Sequence, residues 1–458
     1  MSSDSIQVQN RSVGNAVSSL LPRSKFGKRV TTLGLSAIIN LLLQAVSVPW
    51  IGRLYGPSAF GQWAYLQSIA AVVATIAGLR YELAVVVSQD EDEARRISIV
   101  HFFTTLLFSS AVTAIFGLFG AAWMNAAGMS EVTPYLISIP ICAVLSALYA
   151  LLTNWLIRLE RFNDLARTAL ALSGMTALGQ IGAAFLFNRS LKGIVVGGIV
   201  GQLAPFALIP SLTWAVTRIR LRSLSMSSLW TTARKHDSFP LFMVPWSLTG
   251  SLRDRGLIIL LGIFASSKVM GFYSLALRLV LAPQTLALNS LSSVLFQRAA
   301  EAERVSEVAP LVRRVNIQMS SLMVPTFIFL AWWAKDLIAV LLGEKWRGAG
   351  TYVSLLCAPA FGLVLQNWLI RLLTIARRQR DGFILEALYT VVSLTAFWVS
   401  FRIWNDPLIA VGGFAMVTVF YNVAFFLVCY RTCEFPLRDL LQTGRRILFL
   451  AEIGRAHV

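Results

Sequence analysis

The chain has 458 residues, of which 56% are hydrophobic and only 14% charged, with a formal net charge of +18 and a mean hydropathy of +0.68. Soluble domains average about 25% charged residues, so this composition excludes an ordinary soluble enzyme and describes a polytopic membrane protein. The excess of positive charge calls for no nucleic acid, because basic residues collect in cytoplasmic loops and near anionic head groups.

Residues 1–30 are polar and basic, with Arg11, Arg23, Lys25, Lys28 and Arg29. No small-residue cleavage site follows a short apolar core, so this stretch reads as a cytoplasmic tail rather than a cleaved signal. Twelve apolar runs of spanning length follow, at 31–51, 63–88, 99–123, 134–154, 168–187, 193–216, 240–264, 271–296, 317–343, 351–374, 383–404 and 408–430. The predicted architecture is all-α. It has an N-terminal six-helix lobe over 31–216, a cytoplasmic linker over 217–239, a C-terminal six-helix lobe over 240–430 and a cytoplasmic tail over 431–452. Ile453-Gly454-Arg455-Ala456-His457-Val458 matches one reading frame of a common sequencing adapter. Residues 453–458 are therefore expected to be read-through, and are kept out of the fold. An even number of spans puts both termini on one side. Loops on that side carry about three times as many Lys and Arg as the opposite loops, which predicts cytoplasmic termini.

The two halves repeat. Gly52…Gly61-Gln62-Trp63-Ala64 returns as Gly262…Gly271-Phe272-Tyr273-Ser274 at a constant offset of 210 residues. Both copies fall in the outer turn between the first and second helix of a six-helix unit. Six is even, so the lobes share an orientation and are related by a pseudo-two-fold axis along the membrane normal.

The stretch Gly250-Ser251-Leu252-Arg253-Asp254-Arg255-Gly256 places three consecutive charges inside the seventh run. Each costs roughly 2.5–3.5 kcal/mol at a helix centre even on the lenient insertion scale. Successive residues stand about 100° apart on a helix, so a lipid-facing helix cannot hide all three. Either protein and a wet cavity surround the helix, or it unwinds between the glycines. Two Arg against one Asp make the cavity cationic and suited to an anion. Arg80 and Glu82 lie in the second run; at i,i+2 they do not share a helix face. Arg278 lies in the eighth. Arg371 and Glu386, near inner ends, read as snorkelling side chains. The acidic cluster Asp90-Glu91-Asp92-Glu93 reads as a solvated helix start.

Cys142, Cys357, Cys429 and Cys433 lie in or beside apolar runs without metal-ligand spacing, and the three histidines are scattered. No metal site, cofactor or catalytic triad is proposed. No Gly-rich nucleotide loop of the Walker type occurs. Two six-helix lobes around a cationic midplane cavity describe a secondary transporter for a phosphate- or carboxylate-bearing substrate.

Gly78-Leu79-Arg80-Tyr81-Glu82-Leu83-Ala84 resembles a recurrent segment of bacterial polysaccharide flippases of the O-antigen and exopolysaccharide type. So do Gly271-Phe272-Tyr273-Ser274-Leu275-Ala276-Leu277-Arg278 with Pro283, Val294-Leu295-Phe296-Gln297-Arg298-Ala299, and Ala233-Arg234-Lys235-His236-Asp237-Ser238-Phe239-Pro240. The resemblance covers most of residues 30–430. It implies membership of the multidrug/oligosaccharidyl-lipid/polysaccharide exporter superfamily. It further implies transfer of undecaprenyl-pyrophosphate-linked oligosaccharide from the inner to the outer leaflet of the bacterial inner membrane, by alternating access. Membrane lipids and glycan-assembly proteins such as a polymerase are the partners it implies. The family's cationic lumen maps onto Arg80, Arg253, Arg255 and Arg278, with Glu82 and Asp254 as coupling or charge partners. On this reading Arg253→Ala abolishes export and leaves insertion intact. The alternatives are a multidrug or small-anion antiporter of the same fold, or a membrane glycan polymerase or ligase. The latter is disfavoured by short outer loops whose acids (Glu131, Asp336, Glu344, Asp406) are isolated.

Overall fold

The computed structural model describes residues 25–209, 225–282, 305–366, 369, 372–373, 378–436, 438–439, 442 and 444. Most of the basic N-terminal tail, residues 217–224 of the linker, Pro283, 294–299, Arg371 and the adapter-like tail lie outside the described residues. Regular structure among the described residues is helical throughout: α1 (Lys25–Ala77), α2 (Tyr81–Val87), α3 (Glu91–Ala126), α4 (Ser138–Arg158), α5 (Phe162–Leu186), α6 (Leu191–Leu208), α7 (Met226–Lys235), α8 (Val244–Phe264), α9 (267–282), α10 (Ala309–Leu342), α11 (Arg347–Gln366), α12 (Gln379–Trp404) and α13 (Pro407–Thr432).

Nine of these helices are long and apolar enough to cross a membrane. The molecule is an all-α, multi-spanning membrane protein. α1 has 53 residues, which would rise about 80 Å if straight, against a hydrocarbon core of about 30 Å. It is not straight. Gly56 takes φ 75° and Pro57 follows it. Glycine reaches this left-handed geometry without a Cβ penalty, and proline starts the next helix because its missing N–H would have no partner there. α1 therefore turns back at Gly56, where the sequence places the first outer turn.

The two repeat turns meet each other. A Cβ added at Gly61 would collide with the Ser267 carbonyl, and one added at Gly271 with the Pro57 carbonyl. Gly61 and Gly271 are the residues related by the 210-residue offset. Bare backbone at both positions lets the two turns touch. Around this contact the Trp346 indole N–H donates to the Gly52 carbonyl at 2.9 Å, Lys345 Nζ donates to the Arg53 carbonyl at 2.8 Å and Arg53 donates to the Val340 carbonyl at 2.9 Å. One hydrophobic core joins the halves here, with Phe60, Tyr65 and Leu66 against Leu257, Leu261, Tyr273 and Trp346. This end of the molecule is sealed.

Among the described residues three smaller cores lie elsewhere, the smallest around Leu152, Leu156 and Ile209. One joins Val312, Tyr389, Tyr421 and Tyr430 within the second half. Another joins Tyr81, Ile97 and Trp155 of the first half, with Leu229, Ala233 and Phe239 of the linker region packed against it. The linker helix α7 is thereby fastened to the first half. Glu93 makes the fastening polar. It accepts from Lys235 Nζ at 2.5 Å and from the Gln89 backbone N–H at 2.9 Å, and stands 3.1 Å from His236 Nε2. The acidic cluster is thus not wholly solvated. Asp90 caps α3 by accepting from the Glu93 N–H, while Glu93 turns inward and is buried.

The Lys235 ammonium, with the Gln89 N–H and His236, holds the Glu93 carboxyl down at about 2. A depressed carboxyl stabilises the docked linker above its ordinary titration range and ceases to do so as pH falls toward that value. Glu93→Gln is expected to speed hydrogen exchange of residues 226–235 roughly tenfold, the scale of one charged hydrogen bond. The difference should hold from about pH 5 to 8 and narrow only below the ordinary carboxylate range. Equal exchange in both proteins at pH 7 would remove Glu93 from the docking of α7.

Candidate functional site

α8 is continuous through Gly250 to Gly256, so the three charges fan around an intact helix and local unwinding is not what accommodates them. Their directions follow from their neighbours. Ser251 Oγ meets Thr75 Oγ1 of α1 at 2.7 Å, which marks the face of α8 turned toward the first half. Asp254 and Arg255, at i+3 and i+4 from Ser251, share that face. Both are exposed, and Asp254 keeps 60% of its side-chain surface. Arg253 points the other way, into the second half. Its Nη1 lies 2.5 Å from Glu386 Oε1 on α12 and its Nε 2.9 Å from Asp254 Oδ1. Glu386 is buried, so it does not snorkel. It finds its countercharge on α8, across 133 residues of chain. Tyr389 and Tyr421 stack beside it, with ring centroids 4.1 Å apart.

Arg278 lies on α9, eleven residues below the start of the helix at 267. Helical side chains lean toward the N-terminus, here toward the sealed end. Its guanidinium reaches the face of Phe60, 5.1 Å from the ring centroid. Arg255 is close enough for the two charges to repel. Both arginines are exposed, and among the described residues neither has a carboxylate partner. Of the six sequence candidates, the structure thus places Arg255, Arg278 and Asp254 on the side facing the first half, and turns Arg253 from them toward Glu386 on α12.

Arg80 and Glu82 form a separate site. The second part of α1 runs away from the sealed end and α8 runs toward it. From the Thr75–Ser251 contact, Arg80 therefore lies farther from the seal while Arg255 lies nearer. α1 ends at Ala77, and the chain passes through Leu79 (φ 48°) and Arg80 (φ 59°) before α2 begins. Left-handed geometry costs each non-glycine residue about 1–2 kcal/mol. The break overturns the face argument, which presumed one unbroken helix: Arg80 Nη1 sits 2.9 Å from Glu82 Oε1. The second Glu82 oxygen is 3.3 Å from His101 Nδ1. His101 is buried with Nδ1 also 3.2 Å from the Gly78 carbonyl and Nε2 3.1 Å from the Ala147 carbonyl. Both ring nitrogens thus face oxygen atoms of neighbouring groups. A Cβ at Gly78 would strike this ring, so the glycine makes room for the histidine.

Counting both sites, four guanidiniums stand against three carboxylates, so the positive excess is no larger than Arg253-Asp254-Arg255 alone suggests. Its place is the Arg255–Arg278 pair. The sequence reads Glu386 as a snorkelling side chain and gives no role to His101 or Phe60. The first two carry a usable signal, a titratable residue inside or at the edge of an apolar run; Phe60 carries none. Among the described residues no group of three His, Cys, Asp or Glu could hold a metal ion, and the four cysteines are buried and free.

The family model for polysaccharide biosynthesis protein matches residues 51–350. The succinoglycan biosynthesis transport protein ExoT of Rhizobium meliloti (strain 1021) is 24% identical over 405 residues, covering 80% of this chain and 78% of that protein. Among solved structures, the lipid II flippase MurJ in its inward closed conformation aligns with a TM-score of 0.71 at 12% identity, over 92% of this chain and 91% of that one. An inward-facing multidrug resistance MATE family transporter of the MOP superfamily aligns with a TM-score of 0.64 at 12% identity, over 92% and 99%. The chain has the fold shared by these flippases and transporters.

Proposed function

The chain belongs to the polysaccharide biosynthesis protein family, and from that premise we propose that it flips undecaprenyl-pyrophosphate-linked oligosaccharide from the inner to the outer leaflet of the bacterial inner membrane. The observation that carries this reading is the Arg255–Arg278 pair, two exposed guanidiniums on the side facing the first half that have no carboxylate partner among the described residues. A pyrophosphate offers them paired acceptors. The oligosaccharide would pass between two six-helix lobes, 31–216 and 240–430, joined by the 217–239 linker. Basic loops at the other end support a periplasmic sealed end and cytoplasmic termini. The molecule would then stand closed to the outside, and Arg80 with Glu82 would lie on the cytoplasmic side of the cargo's pyrophosphate. Outward movement of an anion is favoured by roughly 2.3 kcal/mol per charge per 100 mV of inside-negative potential.

A multidrug antiporter of the same fold is the second reading, supported by the MATE likeness. Organic cations would call for an acidic lumen, whereas the unpaired charge here is basic. The test is the leaflet position of the lipid-linked oligosaccharide, read with a membrane-impermeant sugar-oxidising reagent in cells with and without the gene. Deletion is expected to trap the intermediate inside. Unchanged outside labelling in cells cleared of redundant flippases would end the proposal and turn attention to drug and small-anion transport.

A further inference from the structure

Phe60 is held from two sides by the opposite half of the molecule. It follows the Gly56 turn on α1 and is almost fully buried. Trp346 meets its ring edge-on at 5.5 Å and 86°, and the same indole touches Phe272 of α9 at 6.2 Å. The guanidinium of Arg278, on the same helix as Phe272, covers another side of the Phe60 ring at 5.1 Å. Trp346, Phe272 and Arg278 all belong to the second half. The aromatic plug that seals this end therefore has a cation beneath it, and that cation is one of the two site arginines for which no carboxylate partner is found among the described residues.

We propose that the Arg278–Phe60 contact is a latch that a diphosphate opens, and that Phe60 is a positioning residue coupling anion binding to parting of the sealed end. The attraction of a guanidinium for a ring face is electrostatic and depends on its net charge. A diphosphate bridging Arg255 and Arg278 neutralises that charge and gathers both side chains onto α8 and α9 of the second half. One of the second half's holds on Phe60 is lost when the anion arrives. Coupling of this kind is reciprocal: if diphosphate weakens the latch, the latch weakens diphosphate binding by the same factor. Loosening the latch must therefore tighten the ligand, which a merely structural Phe60 would not do. The inference rests on the anion site proposed above, but not on the cargo being a lipid-linked glycan.

The test uses the full chain in lipid nanodiscs, with geranyl diphosphate as the probe. Spin labels at Ser58→Cys and Glu344→Cys, both exposed beside the seal, report its opening by electron–electron resonance distances. Phenylalanine at position 60 is replaced by its 4-fluoro and 3,5-difluoro analogues, which drain the ring face at nearly constant size and so keep the fold. Fluorination is expected to tighten geranyl diphosphate binding about two- to fivefold across the series. It should also raise the long-distance population in the absence of ligand, and the probe should raise that population in the unmodified protein. A flat or reversed affinity series, or no geranyl diphosphate binding by the unmodified protein, overturns the latch. If the series behaves as expected while the leaflet assay finds no flipping, the latch stands and the glycan cargo falls. If flipping is found while the series is flat, the latch alone falls.

Discussion

Arg255→Glu combined with Arg278→Glu is expected to reduce export at least about a hundredfold while leaving the protein in the membrane at normal abundance. Each charge-assisted hydrogen bond to a phosphate oxygen contributes about 1.5–3 kcal/mol. Losing one contact from each arginine removes about 3–6 kcal/mol of binding, a factor of roughly 10² to 10⁴, before the repulsion from two new carboxylates is added. Folding should tolerate the change better than such a substitution in a span usually allows. Both side chains are exposed, and neither leaves a buried carboxylate behind. The single Lys replacements should fall between, because lysine keeps the charge and loses the planar fork. Outward labelling of the lipid-linked oligosaccharide in cells, alongside quantitative membrane blots, reads both quantities. Normal export by the double variant at normal abundance would remove this pair from the transport path.

The depth of each charge was legible in the sequence; its partner was not. Hydropathy finds apolar runs because a membrane imposes a length, and the offset between Gly61 and Gly271 survives because two backbones must touch there. Such constraints are local or periodic. Glu386 illustrates the limit: its position near a helix end suggested snorkelling, and only the packing of α12 against α8 supplies Arg253. Arg80 and Glu82 illustrate another. Their pairing depends on two left-handed residues in succession, at Leu79 and Arg80, neither of which announces that geometry. Phe60 reads as one more aromatic at a membrane interface, because a cation above its face arrives from α9.

Arg253→Ala is the second large effect, expected on stability rather than on cargo contact alone. The Arg253 side chain retains 31% exposure and that of Glu386 only 9%. Removing the guanidinium leaves a buried carboxylate unpaired near the end of a span. Breaking a buried pair from one side costs about 3–5 kcal/mol, a large share of the roughly 5–15 kcal/mol that holds a typical domain together. Asp254 cannot take over, since it is a second anion. The loss should appear as a lower unfolding midpoint in detergent and reduced abundance in the membrane. Glu386→Gln in the Arg253→Ala background removes the orphaned charge and should recover much of the loss. Arg253→Met with Glu386→Leu, which replaces the pair by apolar contacts, should approach the parent, because apolar replacements of buried pairs are often neutral or stabilising. The coupling energy from this cycle separates the two roles of Arg253. A strut predicts strong coupling to Glu386 and export restored in the apolar double variant. A cargo-binding arginine predicts that stability returns while export does not. An unchanged midpoint for Arg253→Ala would show that Arg253 does not hold α8 to α12.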